Sequence, residues 1–172
     1  MIYLVIGTQN SGKSELAEKL SLETGDSNRF YIATMKIYDE AGLQRVEKHR
    51  KMRDGKGFIT IEQEYNITEV LKLIDNPKEA TVLIECISNL VGNEMYENKD
   101  NKDLKEQKSE FVNSVAEDIK VVADSVNNTI IVTNEYESNA KGYDDETRLY
   151  VQLLNNVNEE IIKFSDKIFD LR

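Results

Sequence analysis

The chain is poor in residues that cross-link a fold or divide it into parts. It has one cysteine, one proline and no tryptophan. A single cysteine excludes an internal disulfide, so the fold must rest on a hydrophobic core, and 172 residues are enough to bury one. Cys86 lies in the apolar run TVLIECISNLV, which predicts a buried, unreactive thiol. Without internal repeats or Pro-rich linkers, residues 1–172 are expected to form a single domain.

Two further absences restrict the location and the partners. The net charge is −10, from 22 basic and 32 acidic residues, which argues against a general nucleic-acid or anionic-membrane surface. No apolar run approaches the roughly 18 residues of a membrane-spanning helix, and the first apolar run has no basic segment before it. We therefore expect a cytoplasmic protein with no nucleic-acid partner and no membrane insertion. Any anionic ligand must be bound by a local cluster of positive side chains.

A phosphate-binding loop follows the first apolar run. GTQNSGKS at 7–14 matches G-x-x-x-x-G-K-S, after the strand-like MIYLVI and before the helix-favouring ELAEKL. A chance match in a glycine-containing turn is the alternative, and the flanking strand and helix argue against it. Lys13 is predicted to reach the β and γ phosphates as a catalytic residue, and Ser14 to ligate Mg²⁺. Backbone N–H groups are predicted to bind phosphate oxygens at Gly7, Thr8, Gln9, Asn10, Ser11, Gly12, Lys13 and Ser14.

Short β-branched or aromatic runs alternate with segments of helical period, which indicates an α/β fold with a mainly parallel sheet. Strands are predicted at 2–6, 29–34, 57–61, 81–85, 129–133 and 166–171, and helices near 12–22, 38–53, 67–75, 105–126 and 145–164. The last two helices carry apolar stripes that are typical of core packing. Residues 92–110 are rich in Asn, Lys, Asp and Glu and predict a charged, flexible connection. Such a segment can close over a ligand, but a solvated loop is the favoured interpretation.

The only histidine lies in a basic helical segment. On a helix from about 39 to 53, Arg45, His49 and Arg53 occupy i, i+4 and i+8 and form one row. Two neighbouring guanidinium groups favour a neutral, nucleophilic imidazole and can also bind phosphate oxygens. His49 is therefore a candidate phosphoryl acceptor. An amphipathic surface helix with an incidental histidine explains the spacing equally well.

Further motifs follow in a fixed order: YIAT at 31–34, RVEKHRKMR at 45–53, FITIE at 58–62, VLIECISNLVGN at 82–93 and IIVTNE at 130–135, with Arg148, Asn158 and Asp166 in the tail. With GTQNSGKS, this ordered set resembles the bifunctional adenosylcobinamide kinase / adenosylcobinamide-phosphate guanylyltransferase family of cobalamin biosynthesis. The resemblance covers nearly the whole chain. Only the first motif is specific when taken alone.

The resemblance implies a P-loop NTPase-like fold, with helices on both faces of the sheet, and two reactions. In one, the hydroxyl of adenosylcobinamide attacks the γ-phosphorus of ATP or GTP. In the other, a histidine, here His49, attacks the α-phosphorus of GTP and holds GMP until adenosylcobinamide phosphate displaces it. A homotrimer is also implied.

The resemblance also implies nucleotide contacts beyond the phosphate loop. Glu85 is implied as a second Mg²⁺ ligand. The nucleotide-binding set comprises Ala33, Thr34, Met35, Arg50, Lys51, Met52, Arg53, Glu62 and Glu85.

The sequence departs from the family pattern at three places. Glu85 replaces the usual aspartate, residues 136–146 read YESNAKGYDDE where the family has Val-Gly-x-Gly and a proline, and Gln152 replaces an acidic residue. These departures leave two alternatives: a kinase that transfers only the γ-phosphoryl group, or a nucleotide-binding regulatory subunit without catalysis. The guanine-reading N-K-x-D motif of regulatory GTPases is absent, so the residues do not separate GTP from ATP.

Overall fold

A computed structural model describes residues 1–98 and 104–172. Six strands form one sheet in the order β3-β2-β4-β5-β1-β6. Every neighbouring pair of strands is parallel, so the predicted mainly parallel sheet is confirmed. The strands are β1 Ile2–Gly7, β2 Asn28–Ala33, β3 Phe58–Glu62, β4 Ala80–Glu85, β5 Asn128–Asn134 and β6 Lys167–Leu171.

The described α-helices are α1 Lys13–Glu23, α2 Glu40–Arg53, α3 Ile87–Glu97, α4 Lys108–Ser125 and α5 Asp145–Phe164. Two helix starts have side-chain caps, as helix-initiation chemistry predicts. Asp39 accepts a hydrogen bond from the Gly42 N–H at 2.7 Å, and Asp144 accepts one from the Thr147 N–H at 2.7 Å. The capping aspartate at 39 sets the beginning of α2, the helix that carries His49.

Helices cover both faces of the sheet, as predicted. On one face, Val5, Leu83 and Ile130 pack with Ala17 of α1. On the other face, strand residues of opposite parity pack against α3, α4 and α5, because side chains alternate along a strand. The apolar stripes of the last two helices belong to this second cluster, which contains Phe111, Val115, Ile119, Val122, Val126, Leu149, Leu153, Val157 and Ile161, with the half-buried Phe164 packed against it.

Two helical predictions need correction. The predicted helix at 67–75 is a short 3₁₀ helix, Ile67–Lys72, in which Ile67 and Val70 are buried. That i, i+3 spacing is shared by 3₁₀ and α-helices, so the apolar pattern alone does not separate them. The second correction is α3, which follows β4 directly and was absent from the predicted elements.

The predicted connection at 92–110 is shorter than expected, because α3 continues to Glu97 and α4 begins at Lys108. Polar residues of α3 have partners within the protein. Asn93 is buried, and its amide donates to the Thr34 carbonyl at 2.7 Å and the Glu64 carbonyl at 2.8 Å. Polar composition therefore did not indicate a loop here. Leu104 is buried, and residues 99–103 lie outside the described part of the chain.

Candidate active site

The loop between β1 and α1 has the backbone that the phosphate-binding motif requires. Gly12 has φ of 86° and precedes the first residue of α1. A Cβ at Gly7 would lie 2.5 Å from Ser11 Oγ and 3.2 Å from Lys13 Cδ, so a larger residue there would displace these side chains. Thr8, Gln9 and Asn10 are exposed at the tip of the loop. The loop thus opens at the carboxyl end of β1, where the N-terminus of α1 can meet an anion.

Lys13 is buried against this loop. Its ammonium group donates to the Thr8 carbonyl and lies 3.5 Å from Ser11 Oγ. Burial lowers the pKa of the Lys13 ammonium group, while neighbouring Cys86 and Glu85 act in the opposite direction. The lysine is held by loop carbonyl and hydroxyl groups, which an incoming phosphate oxygen can replace.

Glu85 joins the phosphate loop to the centre of the sheet. It ends β4, its side chain is only 9% exposed, and its Oε1 accepts a hydrogen bond from Ser14 Oγ. Its Oε2 accepts a hydrogen bond from the Tyr31 hydroxyl at 3.1 Å. The residue that is longer than the family's aspartate therefore still reaches the hydroxyl of the phosphate loop.

His49 is brought to the same carboxylate. Its Nδ1 lies 3.7 Å from Glu85 Oε1, and the side chain is 30% exposed. Nδ1 is buried and has no hydrogen-bond partner within the described residues. The prediction from sequence considered only the two arginines of the row, whereas the structure adds a carboxylate that contacts the ring. The histidine therefore lies beside a carboxylate that is hydrogen-bonded to Ser14 of the phosphate loop.

The two arginines of the row differ in their surroundings. Arg45 is exposed, whereas Arg53 is 7% exposed. The Arg53 guanidinium lies 3.6 Å from the centroid of the Tyr31 ring, and its Nη2 is 3.4 Å from Thr60 Oγ1. No carboxylate forms an ion pair with Arg53 among residues 1–98 and 104–172. A buried guanidinium without an anionic partner is suited to binding an anionic ligand.

Tyr31 is the site residue that the sequence prediction missed. It is buried, its hydroxyl donates to Glu85, and its ring lies beneath Arg53. Burial, reinforced by the Glu85 carboxylate, raises the pKa of its hydroxyl, which stays protonated as a donor. Tyr31 and Ala33 are two residues apart on β2 and therefore lie on the same face of the sheet, and Ala33 pairs with Glu85 of β4. The strand period could have indicated this contact, but only if the order of strands had been known.

The segment 33–35 lies beside the carboxyl end of β4. Thr34 Oγ1 donates to the Cys86 carbonyl and accepts from the Cys86 N–H, both at 2.8 Å. The Ala33 carbonyl accepts a hydrogen bond from the Gln63 N–H at 2.9 Å. Met35 is half-buried near Gly42 at the start of α2. These contacts attach residues 33–35 to the segments after β4 and β3 and to the start of α2. Direct nucleotide contact by Ala33, Thr34 and Met35 stays a prediction.

The remaining predicted nucleotide contacts lie on the outer side of α2 and at the end of β3. Arg50 and Glu62 are exposed and paired with each other at 3.0 Å. Lys51 and Met52 line a groove formed only by residues of α2. None of these contacts involves the phosphate loop, so the structure adds no support for these four residues and their nucleotide contacts stay predictions.

Cys86 and the tail motif have structural roles. The Cys86 thiol lies 2.9 Å from Ser88 Oγ and is buried, which confirms the expected burial. Burial raises the pKa of this thiol, and its low reactivity stays a prediction. The buried Asn158 accepts a hydrogen bond from Thr133 Oγ1 at 2.7 Å and donates to the Asn134 carbonyl at 3.0 Å. Asp166 accepts a hydrogen bond from the Ile2 N–H at 2.7 Å. The tail-motif residues Asn158 and Asp166 therefore form hydrogen bonds with β5 and β1 of the sheet.

The departures at 136–146 and 152 do not contact the phosphate loop in the described contacts. Gln152 accepts a hydrogen bond from Lys108 at 2.8 Å, between α4 and α5. Tyr136 lies within hydrogen-bond range of Asn134, at 3.4 Å, and Asn134 also donates to Ser88 at 3.0 Å. Tyr136 therefore lies beside the carboxyl ends of β4 and β5, whereas Gln152 lies between α4 and α5.

The donors at the phosphate loop fit a hard divalent cation. Ser14 and Glu85 supply a hydroxyl and a carboxylate, the kinds of oxygen ligand that Mg²⁺ takes in nucleotide sites. In the part of the chain that the structure describes, no group of three or more His, Cys, Asp or Glu residues could hold a metal by itself. This arrangement is consistent with Mg²⁺ that has few protein ligands and takes its other ligands from phosphate oxygens and water.

Comparison with known proteins decides the family. The family model described as cobinamide kinase / cobinamide phosphate guanyltransferase matches residues 3–170. The chain belongs to this family. Over 104 residues it is 38% identical to the bifunctional adenosylcobalamin biosynthesis protein CobU of Escherichia coli (strain K12). That match covers 60% of this chain and 55% of the relative, so it spans about half the relative's length.

A solved structure of an ATPase domain supports the fold prediction. It superimposes with a TM-score of 0.50 over 98% of this chain and 68% of that chain, at 9% identity. At that identity the likeness concerns the fold alone. The predicted P-loop NTPase-like α/β architecture is confirmed. No helix among the described residues is both long and apolar enough to span a membrane.

The buried Arg53 gives a first prediction. Replacing Arg53 with alanine is expected to slow GMP transfer onto the protein by about 10²-fold, because one electrostatic contact to a transition-state anion is worth about 3 kcal/mol. Single-turnover mass spectrometry with GTP measures this rate. Lys48→Ala, which removes an exposed charge from the same helix, is the control and should leave the rate within about two-fold. Equal rates for the two variants would show that Arg53 does not face the α-phosphate.

Proposed function

We propose that this chain phosphorylates adenosylcobinamide with ATP or GTP and then transfers GMP from GTP to adenosylcobinamide phosphate. The observation that carries the proposal is the position of His49. The chain's only histidine contacts Glu85, which is hydrogen-bonded to Ser14 of the phosphate loop. Membership of the cobinamide kinase / guanyltransferase family supports both the reaction types and the corrinoid substrate.

The phosphate loop serves both reactions. Backbone N–H groups of Gly7–Ser14 bind the phosphates, and Lys13 leaves its loop acceptors to bind the β and γ phosphates. Ser14 and Glu85 would hold Mg²⁺, which would neutralise charge on the phosphate oxygens. In the kinase reaction, the acceptor hydroxyl forms a bond to the γ-phosphorus as the bond to the β-phosphate oxygen breaks. The acceptor loses its proton, and the nucleoside diphosphate leaves.

GMP transfer needs His49. With Nδ1 directed to Glu85, Nε2 is the ring nitrogen that attacks the α-phosphorus. The N–P bond forms as the α–β phosphoanhydride bond breaks, and pyrophosphate leaves. A phosphate oxygen of adenosylcobinamide phosphate then attacks the same phosphorus, and the N–P bond breaks to return the free imidazole. Arg53 faces the phosphate oxygens, where it stabilises the charge that builds up in both steps.

The intact mass of the protein after incubation with GTP and Mg²⁺ tests this proposal. A gain of one GMP, labile in acid and stable in base, is expected for a phosphoramidate. Added adenosylcobinamide phosphate should remove the adduct. Phosphorylated cobinamide without any protein-bound GMP would instead indicate the kinase-only alternative. GTP binding without either product would indicate the regulatory alternative.

Location and assembly follow from the proposed chemistry and the resemblance. ATP and GTP are available in the cytoplasm, so we place the enzyme there as a single nucleotide-binding domain without nucleic-acid partners. A homotrimer is the assembly that the resemblance implies, and it stays a prediction.

A further inference from the structure

The helix that carries His49 has few attachments to the body of the protein. In α2 only Gly42 and Arg53 are buried, and the rest of the helix is exposed or half-exposed. Arg53 is the last residue of α2 and stacks on Tyr31. The position of His49 therefore depends strongly on how the C-terminal end of α2 and the following turn are held.

That turn is anchored by an ion pair between a buried glutamate and a partly exposed lysine. Lys56 Nζ lies 2.6 Å from Glu18 Oε2, and the Glu18 side chain is only 4% exposed. The other oxygen, Glu18 Oε1, is buried with no hydrogen-bond partner in the described residues. Lys56 is thus the partner that compensates this buried carboxylate, and its removal leaves an unpaired charge.

The backbone of the same turn is held by Arg29. The Lys56 carbonyl accepts hydrogen bonds from Arg29 Nε at 3.2 Å and Nη2 at 2.8 Å. Arg29 Nη1 also donates to the Asp26 carbonyl at 2.9 Å. A Cβ at Gly57, where φ is 75°, would lie 2.9 Å from Arg29 Nη2, so glycine allows this close approach. Both the side chain and the carbonyl of Lys56 are therefore fixed.

Glu18 connects this anchor to the phosphate loop. Glu18 and Ser14 are four residues apart on α1 and therefore lie on the same face of the helix. Ser14 bonds Glu85 at one end of that face, and Glu18 bonds Lys56 one turn further on. Helix α1 thus fixes the distance between the phosphate loop and the C-terminal end of α2, the helix that carries His49.

We propose that Glu18 and Lys56 are positioning residues that hold His49 at the α-phosphate, and this proposal rests on the proposed GMP transfer. Neither residue belongs to the predicted nucleotide-binding set. Kinase chemistry uses the phosphate loop but not His49, so it does not depend on the position of α2 in the same way. Loss of the ion pair should therefore slow GMP transfer selectively, whereas a merely structural role would reduce both reactions together.

Lys56→Met tests this because it keeps a long side chain and removes the charge. Formation of the GMP adduct, followed by intact mass in a single turnover, is expected to be about 10- to 100-fold slower. Kinase turnover and Mg²⁺-nucleotide affinity should stay within about three-fold. Lys56→Arg should restore the adduct rate. Lys19→Met is the matched control, because Lys19 forms an exposed pair with Glu23 within α1.

Two further experiments distinguish a loss of His49 positioning from a folding defect and from a failure of the proposed GMP transfer. Glu18→Gln combined with Lys56→Met removes both charges, leaves no unpaired carboxylate, and should show the same slow adduct formation. The second is NMR of protein labelled with ¹³C-histidine, which gives one imidazole signal because the chain has one histidine. Adding α,β-methylene-GTP with Mg²⁺ should shift this signal in the wild type and shift it much less in Lys56→Met.

Equal adduct rates in the wild type and Lys56→Met would overturn the positioning proposal. A parallel fall of adduct formation and kinase turnover would also overturn it. If the wild type forms no adduct, the proposed GMP transfer fails instead. The NMR comparison then decides the positioning claim alone: a response lost in Lys56→Met supports it, and an unchanged response contradicts it.

Discussion

Replacing His49 with alanine is expected to abolish GMP transfer while Mg²⁺-nucleotide affinity changes by less than about three-fold. The substitution removes the nucleophile but leaves Lys13, Ser14 and the backbone N–H groups of the phosphate loop. Kinase turnover should continue, because the acceptor hydroxyl attacks the γ-phosphorus without the histidine. Intact mass after incubation with GTP measures the first effect, and phosphorylation of adenosylcobinamide measures the second.

Lys48→Ala is the control for the His49 variant, since Lys48 is the exposed preceding residue on α2. It should form the GMP adduct at nearly the wild-type rate. A GMP adduct on the His49→Ala protein, or full transferase activity without His49, would contradict the assignment. In that case the phosphate loop would remain as the supported site, and the contact between His49 and Glu85 would be only structural.

Replacing Lys13 with alanine is expected to lower both activities by on the order of 10² to 10³-fold. The Lys13 ammonium group is buried against the loop, where its present partners are the Thr8 carbonyl and Ser11 Oγ. Its loss removes the one positive side chain of the phosphate loop, so binding of the β and γ phosphates should weaken as well. Calorimetric titration with Mg²⁺-nucleotide and assays of both products measure these effects.

The comparison with His49→Ala distinguishes general phosphate binding from the histidine reaction. Lys13→Ala should affect both products, whereas His49→Ala should affect only the GMP transfer. Lys19→Ala removes an exposed charge from the same helix and should be close to wild type. A Lys13→Ala protein with normal nucleotide affinity and normal kinase turnover would show that the loop does not bind the β and γ phosphates as proposed.

Local patterns predicted most of the fold. The six strands were located from runs of β-branched and aromatic residues, and four α-helices from their apolar period or their position after a motif. The missed α3 follows β4 within one continuous apolar run, so no change of composition marks the boundary. Its polar residue Asn93 pairs with the backbone carbonyls of Thr34 and Glu64, which are distant in sequence. A polar residue whose hydrogen bonds are satisfied in this way can lie on the buried side of a helix.

The candidate site was predicted in separate pieces. A specific local motif predicted the phosphate loop. His49 was predicted from its row of arginines together with the family resemblance, and Glu85 from the resemblance. Tyr31 was not selected, since a buried tyrosine in a strand is usually only a core residue. The ion pair between Glu18 and Lys56 also had no signal, because the two residues lie in different segments and each resembles an ordinary charged surface residue.

The family resemblance selected the candidate nucleophile, whereas the sequence by itself predicted the phosphate-binding loop and the alternation of strands and helices. These depend on backbone freedom at glycines and on side-chain periodicity, which are properties of short segments. The tertiary structure alone decided that His49, Ser14 and Tyr31 meet at Glu85. That meeting requires β4 to lie between β2 and β5, and strand order depends on packing between distant segments. The same packing leaves Arg53 buried without a carboxylate partner among the described residues.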